Sequence, residues 1–317
     1  MTVGVETAGL RCSARSLALG EDQAGTASTV RAFLLVEHGG PWGVSAVRDA
    51  PMPDGVSTAL RAACDDIRVR PLLVRRHRSR PGLPERPRVM LAVCDRSGGR
   101  TATRTLGDAR AVPELPLADL VASLRAGHIP DGWYDVPRLF LTCTHGRHDA
   151  CCAERGRPVA AALHEVAGDA GWEVSHIGGD RFAGNVLVLP DGLYYGRVTA
   201  ERAGELVDAH RRGECVPALL RGRTSLPFAG QAAEIALRHR LGVTGARAVR
   251  LAELARDGRR TTTTWAVDGR GWWRVVVDTC QPGPRRALTC SAGEAAPPVH
   301  TVVEVAAAEA AGHCGGR

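Results

Sequence analysis

Apolar and polar positions alternate in short blocks along this chain, most clearly in its middle third. The run Arg138-Leu139-Phe140-Leu141 is too short for a helix, and its flanks predict a buried strand. A polar, cysteine-rich loop follows. Pro158-Val159-Ala160-Ala161-Ala162-Leu163 then reads as a helix with Pro in its first turn. A strand over Trp172–His176 leads into a Gly-rich loop. Next, Asn185–Leu189 and Leu193–Val198 form a hairpin about Pro190-Asp191-Gly192, where Pro fixes φ and Gly admits a positive one. A helix over Ala200–Arg211 closes a β-α-β-β-α unit.

The preceding hundred or so residues repeat that order. Strands are expected at Ala32–Val36, Pro71–Arg76, Val89–Cys94 and Thr101–Leu106, with helices at Ser57–Cys64 and Leu117–Arg125. Leu35-Val36-Glu37-His38-Gly39 lies over Thr142-Cys143-Thr144-His145-Gly146, and His77 ends its strand as His176 does. Val36 stands in the place of Cys143, so the first unit lacks that thiol. The β-α-β-β-α order fits a thioredoxin-like half-open sheet. From about residue 223 the pattern changes to a helix over Gly230–Leu237 and a hairpin of Thr261–Val267 with Trp272–Asp278. Two weaker strands follow at Ala287–Cys290 and His300–Val305, and the tail beyond Ala306 reads as frayed. The expected fold class is α/β (α+β), with two thioredoxin-like units in tandem followed by a small α+β domain. The boundaries fall at an N-terminal segment 1–28, a degenerate unit 29–134, a second unit 135–222 and a C-terminal domain 223–317.

Composition adjusts this picture only a little. The net charge of +7 carries a hint of nucleic-acid binding, but the chain has no Lys, and its 41 basic residues are scattered Arg without a long run. We expect no nucleic-acid partner. No apolar run reaches the roughly 20 residues of a membrane-spanning helix, and the first 28 residues include Glu6, Glu21 and Asp22 without a signal-peptide core. A cytoplasmic, reducing setting is expected. There, ten Cys point to metal or redox chemistry before disulfides.

The densest chemistry lies in Cys143-Thr144-His145-Gly146-Arg147-His148-Asp149-Ala150-Cys151-Cys152 and in His176-Ile177-Gly178-Gly179-Asp180-Arg181-Phe182-Ala183. Cys143 falls at a strand end and Cys152 at a helix entrance, where unpaired N–H groups favour a thiolate. His176 ends the next strand, and Gly178-Gly179 lets the backbone turn without a Cβ to clash. Asp180 follows within reach of the same point. Cys151 reads as a small buried residue beside the site, and His145 and His148 as neighbours of a metal loop. Cys12, Cys64, Cys94, Cys215, Cys280, Cys290 and Cys314 show no metal-ligand spacing and read mostly as small hydrophobes. Trp265, Trp272 and Trp273 are expected to pack a core.

These two segments, with Pro190-Asp191-Gly192 and Tyr195-Gly196 after them, resemble the sucrase/ferredoxin-like family of thioredoxin-like ferredoxins. The resemblance is strong over about residues 135–222. It implies a [2Fe–2S] cluster with Cys143 and Cys152 on one iron and His176 helping to hold the other. It also implies a cluster-free first half. Bis-histidine members carry a second His where this chain has Asp180, which makes Asp180 the candidate fourth ligand. Two thiolates, one neutral imidazole and one carboxylate would give the oxidised site a net charge of about −1, so the potential should fall between Rieske-like and plant-type values. The function so implied is one-electron transfer, with a flavin or iron–sulfur reductase as the redox partner protein.

Two alternatives remain open on the residues alone. Two Cys, one His and one Asp also make a tetrahedral zinc set. A thiol–disulfide oxidoreductase would suit the fold, but the helix entrance offers only adjacent Cys151 and Cys152, strained as a disulfide. Sugar hydrolysis, which the family name suggests, has no support: a glycosidase needs two carboxylates flanking a sugar cleft. The chain also has only four Phe and three Tyr to stack on sugar rings.

Overall fold

The structure is a computed structural model that describes residues 9–96 and 98–309. Helix α1 (Cys12–Ala18) precedes a first unit of β1 (Ala32–Glu37), α2 (Ala46–Asp49), α3 (Val56–Asp66), β2 (Arg70–Arg75), β3 (Arg88–Asp95), β4 (Gly98–Thr105), α4 (Leu117–Arg125) and β5 (Tyr134–Asp135). The second unit comprises β6 (Leu139–Cys143), α5 (Ala150–Ala167), β7 (Gly171–Val174), β8 (Val186–Leu189), β9 (Leu193–Tyr195), α6 (Ala203–Arg211) and β10 (Leu220–Arg223). The chain ends in α7 (Phe228–Leu241), β11 (Val249–Asp257), β12 (Arg260–Val267), β13 (Gly271–Cys280), β14 (Arg286–Ala287), β15 (Glu294–Ala295) and β16 (Val299–Ala308).

The mixed α/β class holds. The first two units share one ten-stranded sheet in the order β10-β9-β8-β6-β7-β2-β1-β3-β4-β5. Outward from the β7–β2 join, the two sides run alike. On each, a parallel pair (β6 with β7, β1 with β2) is followed by three antiparallel neighbours. The join itself is antiparallel, with Arg75 opposite Glu173. Arg75 Nε and Nη2 both donate to Glu173 Oε2, at 2.8 and 2.6 Å, Thr144 Oγ1 donates to the same oxygen at 2.7 Å, and His77 Nδ1 is 3.1 Å from Oε1. His77 thus serves the join between the halves, not a metal.

Alternation along the strands decides which face meets which layer. Leu34, Val36, Leu73, Leu91 and Val93 face α3 and α4 in one core. Phe140, Val186, Val188 and Tyr195 face a second core with α5 and α6 residues. The opposite strand faces, Phe33, Leu35, Val74, Leu141, Val174 and Leu187 among them, meet in a third core that both halves share. The curl of the sheet buries them together.

Residues 249–308 add a four-stranded antiparallel sheet in the order β11-β12-β13-β16, with Leu237 of α7 packed in one core with Trp265 and Val275. Trp265 is fully buried, as a core residue should be. Gln231 of α7 clasps the N-terminal segment: its amide accepts from Ala27 N–H and donates to the Ala27 and Leu226 carbonyls, all at 3.0 Å.

Several boundaries differ from those expected. The helix begins at Ala150, not at Pro158, because the Asp149 side chain accepts the Cys151 N–H at 2.8 Å and so caps it; Pro158 lies inside it. Strand β7 stops at Val174, so His176 stands in the loop beyond it. Helix α1 and strand β11 were not anticipated, and Cys290 lies in a bend after the two-residue β14. Of the tail expected to fray beyond Ala306, residues 307–308 are strand; residues 310–317, with Cys314, lie outside the described residues.

Candidate metal centre

Three of the four candidate ligands converge directly. The ligand atoms of Cys143, Cys152 and His176 all lie within 4.8 Å of one another, and so do those of His148, His176 and Asp180. Local packing explains the approach. Gly156 sits one helical turn after Cys152, on the same face of α5, and a Cβ there would lie 2.0 Å from the Cys143 carbonyl oxygen. Only glycine lets α5 press against the end of β6 and bring Cys152 to Cys143.

Asp180 completes the group from the far side of the Gly178-Gly179 turn. Its Oδ1 accepts from the Cys152 thiol at 3.1 Å and lies 2.9 Å from His176 Nδ1, and its Oδ2 is 3.7 Å from His148 Nε2. Among the described residues its ionic neighbours are these two His, whereas Arg181 pairs with Glu21 at 2.8 Å. Asp180 therefore turns inward, 2 % exposed, and does not cap the loop by pairing with Arg181.

Burial pushes the Asp180 carboxyl up, but contact with His176, Cys152 and His148 outweighs it and leaves the carboxyl below its ordinary value. The two thiols divide their roles. A hydrogen bond from Cys152, aided against burial by His176 and the His145 N–H, lowers Cys143. The same pairing, with burial and Asp180, raises Cys152.

The neighbouring imidazoles have distinct jobs. His145 accepts the His176 N–H at Nδ1 (3.2 Å) and sits 2.9 Å from the Gly43 carbonyl through Nε2. That fixes the neutral Nε2–H tautomer, and burial lowers the ring to about 4. Both nitrogens are engaged, so His145 positions the His176 backbone. His148 packs against His176 with ring centres 3.7 Å apart and planes tilted by 32°, its Nδ1 3.3 Å from the Val44 carbonyl and its Nε2 toward Asp180. The outer edge of His176 borders a cleft of ≈ 380 Å³ shared with His145, His148 and Ser175.

One residue escaped the sequence reading altogether. Arg221 of β10 is 1 % exposed and pinned beneath the Gly178-Gly179 turn. Its Nη1 donates to Gly178 O and Asn185 Oδ1, each at 2.8 Å, and its Nη2 to Thr26 O at 2.6 Å. Burial lowers it to about 10, still charged at neutral pH. Gly179, at φ +84°, leaves room for that guanidinium: a Cβ there would stand 2.2 Å from Arg221 Nη2. Arg221 thus fixes the turn that carries His176 and Asp180 and places a positive charge behind them.

Cys151, beside Cys152 in sequence, joins a different group. Its Sγ lies 3.5 Å from Cys12 Sγ and 3.3 Å from Cys290 Sγ, and with Asp149 these form a separate set of possible ligands. Cys280 is free and exposed.

The molecule is thus a mixed α/β protein whose thiols, imidazoles and carboxylates gather into groups able to hold metal. A family model described as sucrase/ferredoxin-like matches residues 23–222, and the chain belongs to that family. No curated protein and no solved structure matches it. No helix among the described residues is long and apolar enough to cross a membrane.

Proposed function

We propose that this protein is a one-electron carrier in which Cys143, Cys152, His176 and Asp180 hold a [2Fe–2S] cluster. The observation that carries the reading is the convergence of two buried thiols and an imidazole within 4.8 Å. His176 adds to it: its buried Nδ1 lies 2.9 Å from Asp180 Oδ1, so the imidazole and the carboxylate face the same point as the two thiols. Two thiolates and an imidazole suit an iron–sulfur core of mixed ligation, with Asp180 as the fourth donor.

When bound, such a cluster supplies reversible one-electron chemistry near neutral pH. The protein's own residues set the surroundings. His145 and Arg221 hold the two ligand-bearing turns, Asp149 fixes the start of α5, and the outer edge of His176 opens to the cleft through which a partner could approach. A flavin or iron–sulfur reductase in a reducing cytoplasm is the partner this chemistry would need. The first half of the sheet has Val36 at the corresponding strand end and serves as packing for the second.

Anaerobic purification followed by iron and acid-labile sulfide analysis tests the proposal. Two irons and two sulfides per chain, abolished by Cys143→Ser, is the expected result. A colourless protein without sulfide overturns it.

A further inference from the structure

The Cys12, Cys151 and Cys290 thiols form a closed triangle with sides of 3.5, 3.3 and 3.5 Å, assembled from α1, the first turn of α5 and the bend after β14. We propose that this triangle is a second, separate metal site, a structural zinc site that ties both ends of the chain to the α5 N-terminus.

Geometry supports it first. Thiolates bound to tetrahedral zinc at about 2.3 Å stand about 3.8 Å apart. The observed sulfurs are a few tenths of an ångström closer than that, so a metal on their common axis needs only a small expansion. Asp149 closes the fourth side, with both carboxylate oxygens 3.8 Å from Cys12 Sγ. Those oxygens are themselves held, Oδ1 by the Cys151 N–H at 2.8 Å and Oδ2 by the Cys290 N–H at 2.6 Å. An oxygen donor oriented in this way, alongside three sulfurs, is a donor set zinc accepts.

Chemistry supports it second. Cys151 is the second residue of an eighteen-residue helix, where unpaired N–H groups favour a thiolate. Cys12 and Cys151 are fully shielded, and the remaining apolar neighbours are small: Ala183 and Ala287. Three sulfurs meeting in so confined a space are more than a disulfide can use, since any pair that oxidised would strand the third.

The site has a mechanical consequence. Helix α1 packs on the short turn Asp180–Phe182, so a metal clamp on Cys12 would fix α1 against the body of the fold. This inference does not depend on what that other centre binds.

The test is metal analysis of the full-length protein, purified anaerobically without added metal, with mass spectrometry of its thiols. One zinc per chain is expected. Cys290→Ser, at an exposed position, and Cys12→Ser should each cut zinc at least tenfold and leave iron, sulfide and the visible spectrum unchanged. Cobalt(II) added to zinc-depleted protein should give thiolate-to-metal charge-transfer absorption that Cys290→Ser abolishes. Protein that neither contains zinc nor takes up zinc or cobalt(II) under reducing conditions overturns the inference. So does a native disulfide between any two of the three Cys. Zinc retained in Cys290→Ser but lost in Cys143→Ser would also overturn it, and would assign zinc to the other centre instead.

Discussion

Replacing Gly179 with alanine tests how the metal-centre turn is held. Two separable costs follow from the structure. An L-residue at φ +84° carries about 1 kcal/mol of backbone strain. The added methyl also falls 2.2–2.6 Å from three atoms of the Arg221 guanidinium, which must then move. Arg221 is buried and donates to Gly178 O, Asn185 Oδ1 and Thr26 O. Hydrogen bonds from a charged donor contribute about 1.5–3 kcal/mol each, and losing one or two of them brings the total to about 4 kcal/mol. Gly127→Ala is the control, because Gly127 has φ +85° and open space around its Cβ position. It should cost about 1 kcal/mol. Urea unfolding of both variants gives the comparison, and bleaching of the visible spectrum in air reports the metal centre. Gly179→Ala should be the less stable by about 3 kcal/mol and should bleach several-fold faster. Equal unfolding midpoints and equal bleaching would refute the role given to Arg221.

Three other outcomes are expected. Arg75→Ala leaves Glu173 buried at the β2–β7 join without its main counter-charge and should cost about 3–5 kcal/mol, read by urea unfolding; Arg75→Ala with Glu173→Leu should recover most of that, and no recovery would contradict the pairing. His145 and His210 are each lowered by burial to about 4, whereas an unfolded His titrates near 6.5. The unfolded chain therefore binds more protons below pH 6.5, so stability should fall between about pH 6.5 and 4, by about 2 kcal/mol per ring at pH 5. His210→Gln should remove one ring's share of that slope; an unchanged slope would argue against a buried neutral ring. Finally, zinc content should respond to Cys12→Ser and Cys290→Ser but not to Cys143→Ser.

Much of the first centre could be read in the sequence because it is local. Cys143, Cys152, His176 and Asp180 sit on one β-α-β passage, where strand ends and a helix entrance bring side chains together whatever the rest of the chain does. The strands themselves were also legible, since short continuous apolar runs mark β1, β3, β6 and β8 clearly. What escaped is non-local. Cys12 and Cys290 are each 139 residues from Cys151, and no spacing rule reaches that far. Arg221 looks like any scattered Arg until β10 is paired with β9 and its side chain passes under the Gly178-Gly179 turn. Strand β11 was missed because Leu251-Ala252-Glu253-Leu254-Ala255 has helix-forming residues, and pairing with β12 overrides that preference. The merging of two units into one sheet depends on the short β2–β7 pairing, Val74 with Val174 and Arg75 with Glu173, invisible without the partner strand.

The most direct test of the central claim is electron paramagnetic resonance of the anaerobically reduced protein, with pulsed detection of nitrogen. The account predicts a spin-one-half signal coupled to a histidine nitrogen, with that coupling lost in His176→Cys. A protein that gives no such signal on reduction, or one whose signal carries no coupling to histidine nitrogen, would contradict it.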